Sequence, residues 1–176
     1  DEDMADYFRL QFHVKGMRIL NKTSLQGMKG ETRVQSVITS SGTIPADMVI
    51  LAMGIRPATA FLDNSPLRME KGCIVTDAHH KTNIDDIYAV GDCAMVVNRL
   101  THQAQWSAMG STANISGRNL ALNLSGEEHE YPGCLGTGVV RLGDDLNAAR
   151  CGLGEMQAKE AGYDVITVVS ANDDKA

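Results

Sequence analysis

The 176-residue chain lacks any uninterrupted apolar run of about 18 residues, so no membrane-spanning helix is expected. It also lacks a basic excess: 16 Lys and Arg against 22 Asp and Glu give a net charge of -6. That balance argues against a nucleic-acid partner. The chain opens on Asp1-Glu2-Asp3, without the basic start of a signal peptide. Together with 43% hydrophobic residues, these absences predict a globular protein with no membrane or nucleic-acid partner.

No C-x-x-C pair occurs among the four cysteines, which are Cys73, Cys93, Cys134 and Cys151. Their spacing argues against a zinc ribbon and against a thioredoxin-type redox couple. Scattered cysteines in an enzyme-like composition are typical of a reducing compartment, so we expect a cytoplasmic protein.

The adjacent histidines His79 and His80 raise the question of a metal site. Neighbouring residues of a strand point to opposite faces, so the pair is poorly placed to share one ion. The pattern favours two solvent-facing loop histidines, and no metal ligand is predicted.

Apolar periodicity predicts a first helix over residues 4–15, because Met4, Phe8 and Phe12 recur at i, i+4 and i+8. Gly16 is a typical helix stop. A third helix is expected over 155–161. Short apolar runs and turn signals predict strands at 17–20, 23–28, 33–39, 48–53, 72–77, 138–142, about 146–151 and 165–169. The mixture predicts an α/β chain.

The run Met48–Met53 is the most continuous of these apolar segments. Such a run is expected of a strand that is buried on both faces. Gly54 ends it, and Pro57 prevents its continuation.

The segment Ile87–Asp92 reads Ile-Tyr-Ala-Val-Gly-Asp. It predicts a short buried strand that ends in a tight turn at Gly91. Asp92 then lies at the carboxyl end of a sheet, where open α/β folds bind ligands, and its carboxylate suits ligand hydroxyls. The alternative is an ordinary strand and turn in which Asp92 caps a helix.

A second helix is predicted over residues 108–124, with apolar residues such as Leu120 and Leu124 on its surface. Its first turn offers free backbone N–H groups, which together with the helix dipole stabilise negative charge. The alternative is plain capping of this helix by Ser111 or Thr112.

The pattern Thr82, five residues, then Tyr-Ala-x-Gly-Asp resembles the second flavin-binding motif of the FAD-dependent pyridine nucleotide-disulfide oxidoreductases. The resemblance implies that Asp92 hydrogen-bonds the ribityl chain of FAD, with Gly91 forming the turn. Residues 51–57 resemble the segment in which that family leaves its NAD(P)H domain. There Met53 replaces a common threonine, and Gly54 becomes an expected cofactor contact.

The sequences Thr112-Ala113-Asn114 and Gly117-Arg118 resemble the helix that points its N-terminus at the flavin ring in the same family. The resemblance implies that this helix start binds the flavin, mainly through backbone groups. The expected contacts are Met109, Gly110, Ser111 and Thr112.

The resemblance implies an α/β fold: a partial two-dinucleotide-binding-domain flavoprotein fold plus the start of an α+β interface domain. Residues 1–53 are expected to be the second half of the NAD(P)H-binding domain, 54–126 the returning segment of the FAD-binding domain, and 127–176 the start of the C-terminal dimerisation domain. No G-x-G-x-x-G phosphate loop occurs in the chain. We therefore expect this segment alone to be inactive.

The implied parent activity is hydride transfer from NAD(P)H through FAD to a disulfide, a peroxide or oxygen. Ser111–Asn114 and Tyr131–Gly133 look most like the NADH oxidase, peroxidase and coenzyme A-disulfide reductase branch, which implies a homodimer and a small-molecule or thiol/disulfide acceptor. A ferredoxin or rubredoxin reductase and a non-catalytic scaffold fragment stay as alternatives. No catalytic residue is assigned, because Cys93, next to the motif, favours a packing role.

Overall fold

The computed structural model describes residues 1–143 and 146–170. The chain divides into two compact units, Asp1–Ile55 and Arg56–Ala176. Residues 171–176, at the end of the predicted dimerisation segment, lie outside the described residues. In the part of the chain that is described, no helix has the length and apolar character needed to cross a membrane.

The first unit begins with helix α1 (Glu2–Val14), which confirms the predicted first helix. The helix ends where the sequence indicates, because Gly16 adopts a φ of 80°. The N–H of Met17 then donates to the carbonyl of Phe12 at 2.9 Å. This is the hydrogen bond that closes a glycine-ended helix.

A three-stranded antiparallel sheet completes the first unit, in the order β1 (Leu25–Lys29), β2 (Ser36–Thr39), β3 (Gly42–Pro45). In the register, Val37 of β2 pairs with Met28 on one side and Ile44 on the other. Strands β1 and β2 confirm the predictions at 23–28 and 33–39, whereas β3 was not predicted. No residue of this unit is fully buried.

The strands predicted at 17–20, 48–53 and 165–169 are wrong for the described structure. Met48, Ile50 and Met53 are 79%, 83% and 79% exposed. A strand needs a neighbour to satisfy its backbone hydrogen bonds. Among the described residues no strand pairs with these runs, so their apolar side chains stay exposed.

The described residues of the second unit form three antiparallel hairpins. They are β4 (Met69–Glu70) with β5 (Cys73–Ile74), β6 (Met95–Val97) with β7 (Ala104–Trp106), and β8 (Gly138–Arg141) with β9 (Asn147–Arg150). Strands β8 and β9 confirm the predictions at 138–142 and 146–151, and β5 lies within 72–77. Strands β4, β6 and β7 were not predicted.

Two helices, α2 (Gly110–Leu124) and α3 (Glu155–Glu160), confirm the predicted second and third helices. Their lengths differ markedly. Only α2 contains fully buried residues, Thr112 and Ser116, so α2 is the helix that packs into the second unit.

The core of the second unit lies beside Gly91 and Asp92, the Gly-Asp pair that ends the motif. Its centre is Ile74, Ala89 and Ala94, which are 7%, 7% and 2% exposed. Ala89 precedes the motif and Ala94 follows it, and a parallel bridge joins Ile74 to Ala94. The core therefore fixes the chain on both sides of the turn at Gly91.

Candidate functional site

The segment before the Gly91 turn is held by one isolated antiparallel bridge, between Tyr88 and Lys81. Its two hydrogen bonds run from the N–H of Ala89 to the carbonyl of His80 and from the N–H of Thr82 to the carbonyl of Ile87, each at 3.0 Å. The predicted strand is therefore shorter than expected and amounts to one bridge. Gly91 has a φ of 83°, a conformation that strains any residue with a Cβ.

Asp92 lies in a 3-10 turn that spans Gly91–Cys93. The N-cap of that turn is Val90, and no side chain caps it, so the alternative of Asp92 as a helix cap is wrong. Asp92 is exposed, whereas its backbone carbonyl is fixed: the indole Nε1–H of Trp106 donates to it at 2.8 Å. The backbone is held while the carboxylate faces solvent.

The start of α2 presents backbone donors. The first bond of the helix runs from the N–H of Ala113 to the carbonyl of Met109 at 2.9 Å. The N–H groups of Gly110, Ser111 and Thr112 therefore precede the intrahelical ladder. No side chain caps this end, so the alternative of capping by Ser111 or Thr112 is wrong.

Thr112 differs from its neighbours because its side chain is already engaged. It is 7% exposed, and its hydroxyl lies 3.1 Å from the hydroxyl of Ser107. Ser111 is exposed. At this helix start, Thr112 is thus left with its backbone for ligand contact.

The Gly91 turn and the start of α2 pack against each other. A Cβ placed on Gly91 would lie 3.9 Å from the Cβ of Ala113 in the first turns of the helix. The structure therefore brings the predicted residues Gly91 and Asp92 beside the predicted stretch Met109–Thr112. Gly54 belongs to the other unit, has a φ of 86°, and its contact with a cofactor stays a prediction.

The two halves of this site have complementary chemistry. The carboxylate of Asp92 accepts hydrogen bonds, while the backbone N–H groups of α2 donate them and favour negative charge. A ligand that fits both must carry hydrogen-bond donors at one point and an electron-rich acceptor edge at another.

A cleft of about 800 Å³ also opens at the start of α2. Met109 and Ser111 line it together with two cysteines, Cys134 and Cys151. Both thiols have neighbours: Gln105 Nε2 lies 2.9 Å from Cys134 Sγ, and Thr137 Oγ1 lies 3.1 Å from Cys151 Sγ. Asp92 is not among the residues that line this cleft.

His80 is buried, so the expectation of two solvent-facing histidines is wrong for this residue. It is 2% exposed, its φ is 66°, and its ring centroid lies 5.2 Å from that of Tyr131. Asp77 shapes the turn by accepting hydrogen bonds from the N–H groups of His79 and Lys81. Burial lowers the pKa of the His80 imidazole.

The histidines and cysteines form no metal cluster in the described ranges, where no group of three or more His, Cys, Asp and Glu is placed to hold an ion. All four cysteines are free thiols. Cys93 packs against the core, and its thiol points to the carbonyl of Val90 at 3.5 Å. Burial raises the pKa of the Cys73 thiol. These placements support the packing role expected for Cys93.

Sequence reasoning missed Trp106 and Ser107. They follow one another at the end of β7 and contact the two halves of the site. The available signal was that Trp106 is the only tryptophan of the chain and closely precedes the predicted helix.

Comparison with known proteins gives the chain a family. The sequence model of the pyridine nucleotide-disulphide oxidoreductase family matches residues 1–108. The NAD(P)H sulfur oxidoreductase (CoA-dependent) of Pyrococcus furiosus is 32% identical over 98% of this chain and 37% of its own length. The NADH oxidase of Streptococcus pneumoniae serotype 4 is 31% identical over 93% of this chain and 35% of its own.

A solved structure agrees with these relatives. The FAD-dependent pyridine nucleotide-disulphide oxidoreductase from Desulfovibrio vulgaris superposes with a TM-score of 0.82 at 30% identity, covering 94% of this chain and 42% of that one. The match confirms the predicted fold class, a partial α/β flavoprotein fold. The chain spans little more than a third of the length of the curated relatives it matches. The chain belongs to the pyridine nucleotide-disulphide oxidoreductase family.

Proposed function

We propose that the Asp92 turn and the start of α2 supply one end of an FAD site. The enzyme to which they belong is an oxidoreductase that passes hydride from NAD(P)H through FAD to an acceptor. The observation that carries the proposal is the packing of the Asp92 turn against the start of α2. When bound, FAD supplies the redox chemistry, and the protein binds, orients and tunes it.

The residues present fit the ribityl chain and the pyrimidine edge of the flavin. The exposed carboxylate of Asp92 accepts hydrogen bonds from ribityl hydroxyls, which are charge-assisted and therefore strong. Gly91 has no side chain, and a Cβ there would point toward Ala113, so the glycine lets the turn lie close to the start of α2. The free N–H groups of Gly110 and Ser111 favour negative charge at the N1 and O2 side of the ring.

The same residues do not account for the phosphates. The chain carries no G-x-G-x-x-G loop, which in dinucleotide-binding folds cradles the pyrophosphate. We propose that the phosphate sites lie in other parts of a longer polypeptide. In it, residues 1–53 belong to the NAD(P)H domain, 54–126 to the FAD domain and 127–176 to the dimerisation domain. The 176-residue chain alone is then inactive.

The proposed acceptor is a small molecule, either a disulfide or persulfide-type sulfur compound or oxygen. The names of the similar proteins, a CoA-dependent sulfur oxidoreductase and an NADH oxidase, support both choices. A cytoplasmic location is proposed because all four cysteines are free, as in reducing compartments. A homodimer is proposed because Val139 and Val140 of β8 are 79% and 51% exposed within the predicted dimerisation segment.

The test uses the complete polypeptide encoded by the reading frame that contains these residues. Under anaerobic conditions, NADH or NADPH is expected to bleach the visible flavin absorbance. Oxygen, a persulfide or a coenzyme A disulfide then restores it. Reoxidation by an iron–sulfur protein alone assigns the ferredoxin reductase alternative. A polypeptide without flavin contradicts the proposal and leaves the scaffold alternative.

A further inference from the structure

Two consecutive residues outside the flavin motif connect the halves of the candidate site. Trp106 Nε1–H donates to the backbone carbonyl of Asp92 at 2.8 Å. The hydroxyl of the next residue, Ser107, lies 3.1 Å from the hydroxyl of Thr112 in the first turn of α2. Adjacent residues at a strand end point to opposite sides, so one dipeptide reaches both halves.

The β6–β7 hairpin makes this reach possible. In its register Trp106 is paired with Met95, three residues beyond Asp92, so the indole lies near the turn. Met95 is 4% exposed and belongs to the buried part of the second unit. The hairpin is therefore a firm support for the indole and for the residue that follows it.

The Ser107–Thr112 contact is shielded from water, because the two residues are 8% and 7% exposed. A buried hydroxyl that loses its hydrogen-bond partner destabilises the folded protein. This pair therefore favours a single arrangement of hairpin and helix. The Trp106 bond similarly gives a polar atom of a large aromatic side chain its partner.

A flavin makes the spacing of the two halves matter. The ribityl chain and the pyrimidine edge belong to one molecule whose ring is rigid. Asp92 and the N–H groups of α2 must therefore be held at a fixed separation, to within about 0.5 Å for a well-formed site. Trp106 contacts the backbone of Asp92, and Ser107 contacts the side chain of Thr112 at the start of α2.

We propose that Trp106 and Ser107 are positioning residues that set the distance between Asp92 and the start of α2, and thereby the affinity for FAD. This inference rests on the proposed function. Neither residue needs to touch the flavin, because each holds a residue, Asp92 or Thr112, for which a flavin contact is proposed.

The test measures the Kd of FAD for the complete polypeptide after removal and readdition of the flavin. Trp106→Phe keeps an aromatic ring but removes the N–H donor, and Ser107→Ala removes the hydroxyl. Each is expected to raise the Kd about 3- to 10-fold, the effect of one hydrogen bond. The thermal midpoint of each flavin-free variant is recorded to check that it folds.

The chain offers matched controls. Tyr163 also donates from an aromatic side chain to a backbone carbonyl, that of Leu100 at 2.6 Å. Ser125, the residue that caps the other end of α2, also donates a hydroxyl hydrogen bond, to the carbonyl of Leu122 at 2.8 Å. Tyr163→Phe and Ser125→Ala are expected to leave the Kd of FAD within twofold of the unmodified protein.

A double-variant cycle with Asp92→Asn separates positioning from general stability. If Trp106 acts through Asp92, Trp106→Phe has a smaller effect on the Kd in the Asp92→Asn background than alone. Equal effects in both backgrounds, or a Kd unchanged by both Trp106→Phe and Ser107→Ala, overturn the inference while the proposed function stands. A Kd that Asp92→Asn does not change overturns both.

Discussion

The two units of the chain form similar secondary-structure elements, but only the second unit has fully buried residues. The first unit, Asp1–Ile55, has a 13-residue helix and a three-stranded sheet, yet none of its residues is fully buried. The second unit surrounds Ile74, Ala89 and Ala94. The first unit therefore keeps its helix and sheet with residues that are at most partly buried. The candidate site lies where a core holds the chain.

Two apolar runs show the same contrast. Met95–Val97 is paired with β7, and Met95 and Val96 are 4% and 6% exposed. Met48–Met53 is longer and equally apolar but has no strand partner among the described residues, and Ile50 is 83% exposed. Pairing, rather than hydrophobicity, decides which run is buried.

The largest expected effect on stability is at Gly133, which has no room for a side chain. A Cβ on Gly133 would lie 2.5 Å from the carbonyl oxygen of Val97, whereas a Cβ on Gly136 would meet nothing within 4 Å. Both glycines have positive φ values, 84° and 71°. Gly133→Ala is therefore expected to lower the free energy of unfolding by about 3 kcal/mol, and Gly136→Ala by about 1 kcal/mol.

The free energy of unfolding of both glycine variants is measured by urea unfolding, followed by the fluorescence of Trp106. Because the two substitutions share the backbone strain, their difference isolates the packing around β6. Equal losses for Gly133→Ala and Gly136→Ala would contradict the packing described for the second unit.

A smaller effect on the free energy of unfolding is expected from a change of pH, because His80 is buried. Burial lowers its pKa below the ordinary value of 6.5; a hydrogen bond with Asn119 and the nearby Asp77 oppose that shift, and His79 adds to it. Above pH 6.5 the imidazole is neutral in both the folded and unfolded states, so the stability is full. Below it the unfolded chain binds a proton that the folded chain does not, and stability falls until the pH passes the folded pKa.

The free energy of unfolding, measured between pH 8 and 5, is expected to fall below about pH 6.5 and to fall less in His80→Asn. Asparagine tolerates the positive φ of this position. His13 is exposed, so His13→Asn serves as the control and keeps the fall. An identical pH dependence in the His80 variant would show that its burial is not linked to folding.

The smallest effect on stability is expected from the exposed apolar run Met48–Met53. Ile50→Ser changes an exposed side chain and should alter the free energy of unfolding of the 176-residue chain by less than about 0.5 kcal/mol. Val96→Ser, in the buried strand β6, is expected to cost about 2 kcal/mol. Comparable losses for the two variants would mean that residues 48–53 are buried, as the sequence predicts.

Local signals allowed much of the fold to be predicted. Helix α1 follows from the spacing of Met4, Phe8 and Phe12 and from the stop at Gly16, all of which are close in sequence. The turn at Gly91 follows from the glycine itself. The strand at 48–53 failed because strand formation depends on a partner elsewhere in the chain, which periodicity does not report.

The residues proposed to contact the ligand were identified from the sequence, whereas the residues that support them were missed. Motif residues such as Asp92 are recognisable by spacing, and the start of α2 by its helix signals. Trp106 and Ser107 act through a hairpin whose strands have three residues each, too short for a periodic pattern. Their role depends on tertiary contacts, which the sequence does not display.

The most direct test of the account is the Kd of FAD for the complete polypeptide with Asp92→Asn, compared with Asp85→Asn. Both substitutions remove one exposed carboxylate from the same stretch of chain, and only Asp92 lies beside the start of α2. Loss of charge-assisted hydrogen bonds is expected to raise the Kd about 10- to 100-fold for Asp92→Asn. Asp85→Asn should leave it within twofold. Equal affinity in the two variants would contradict the assignment of Asp92 to the flavin site.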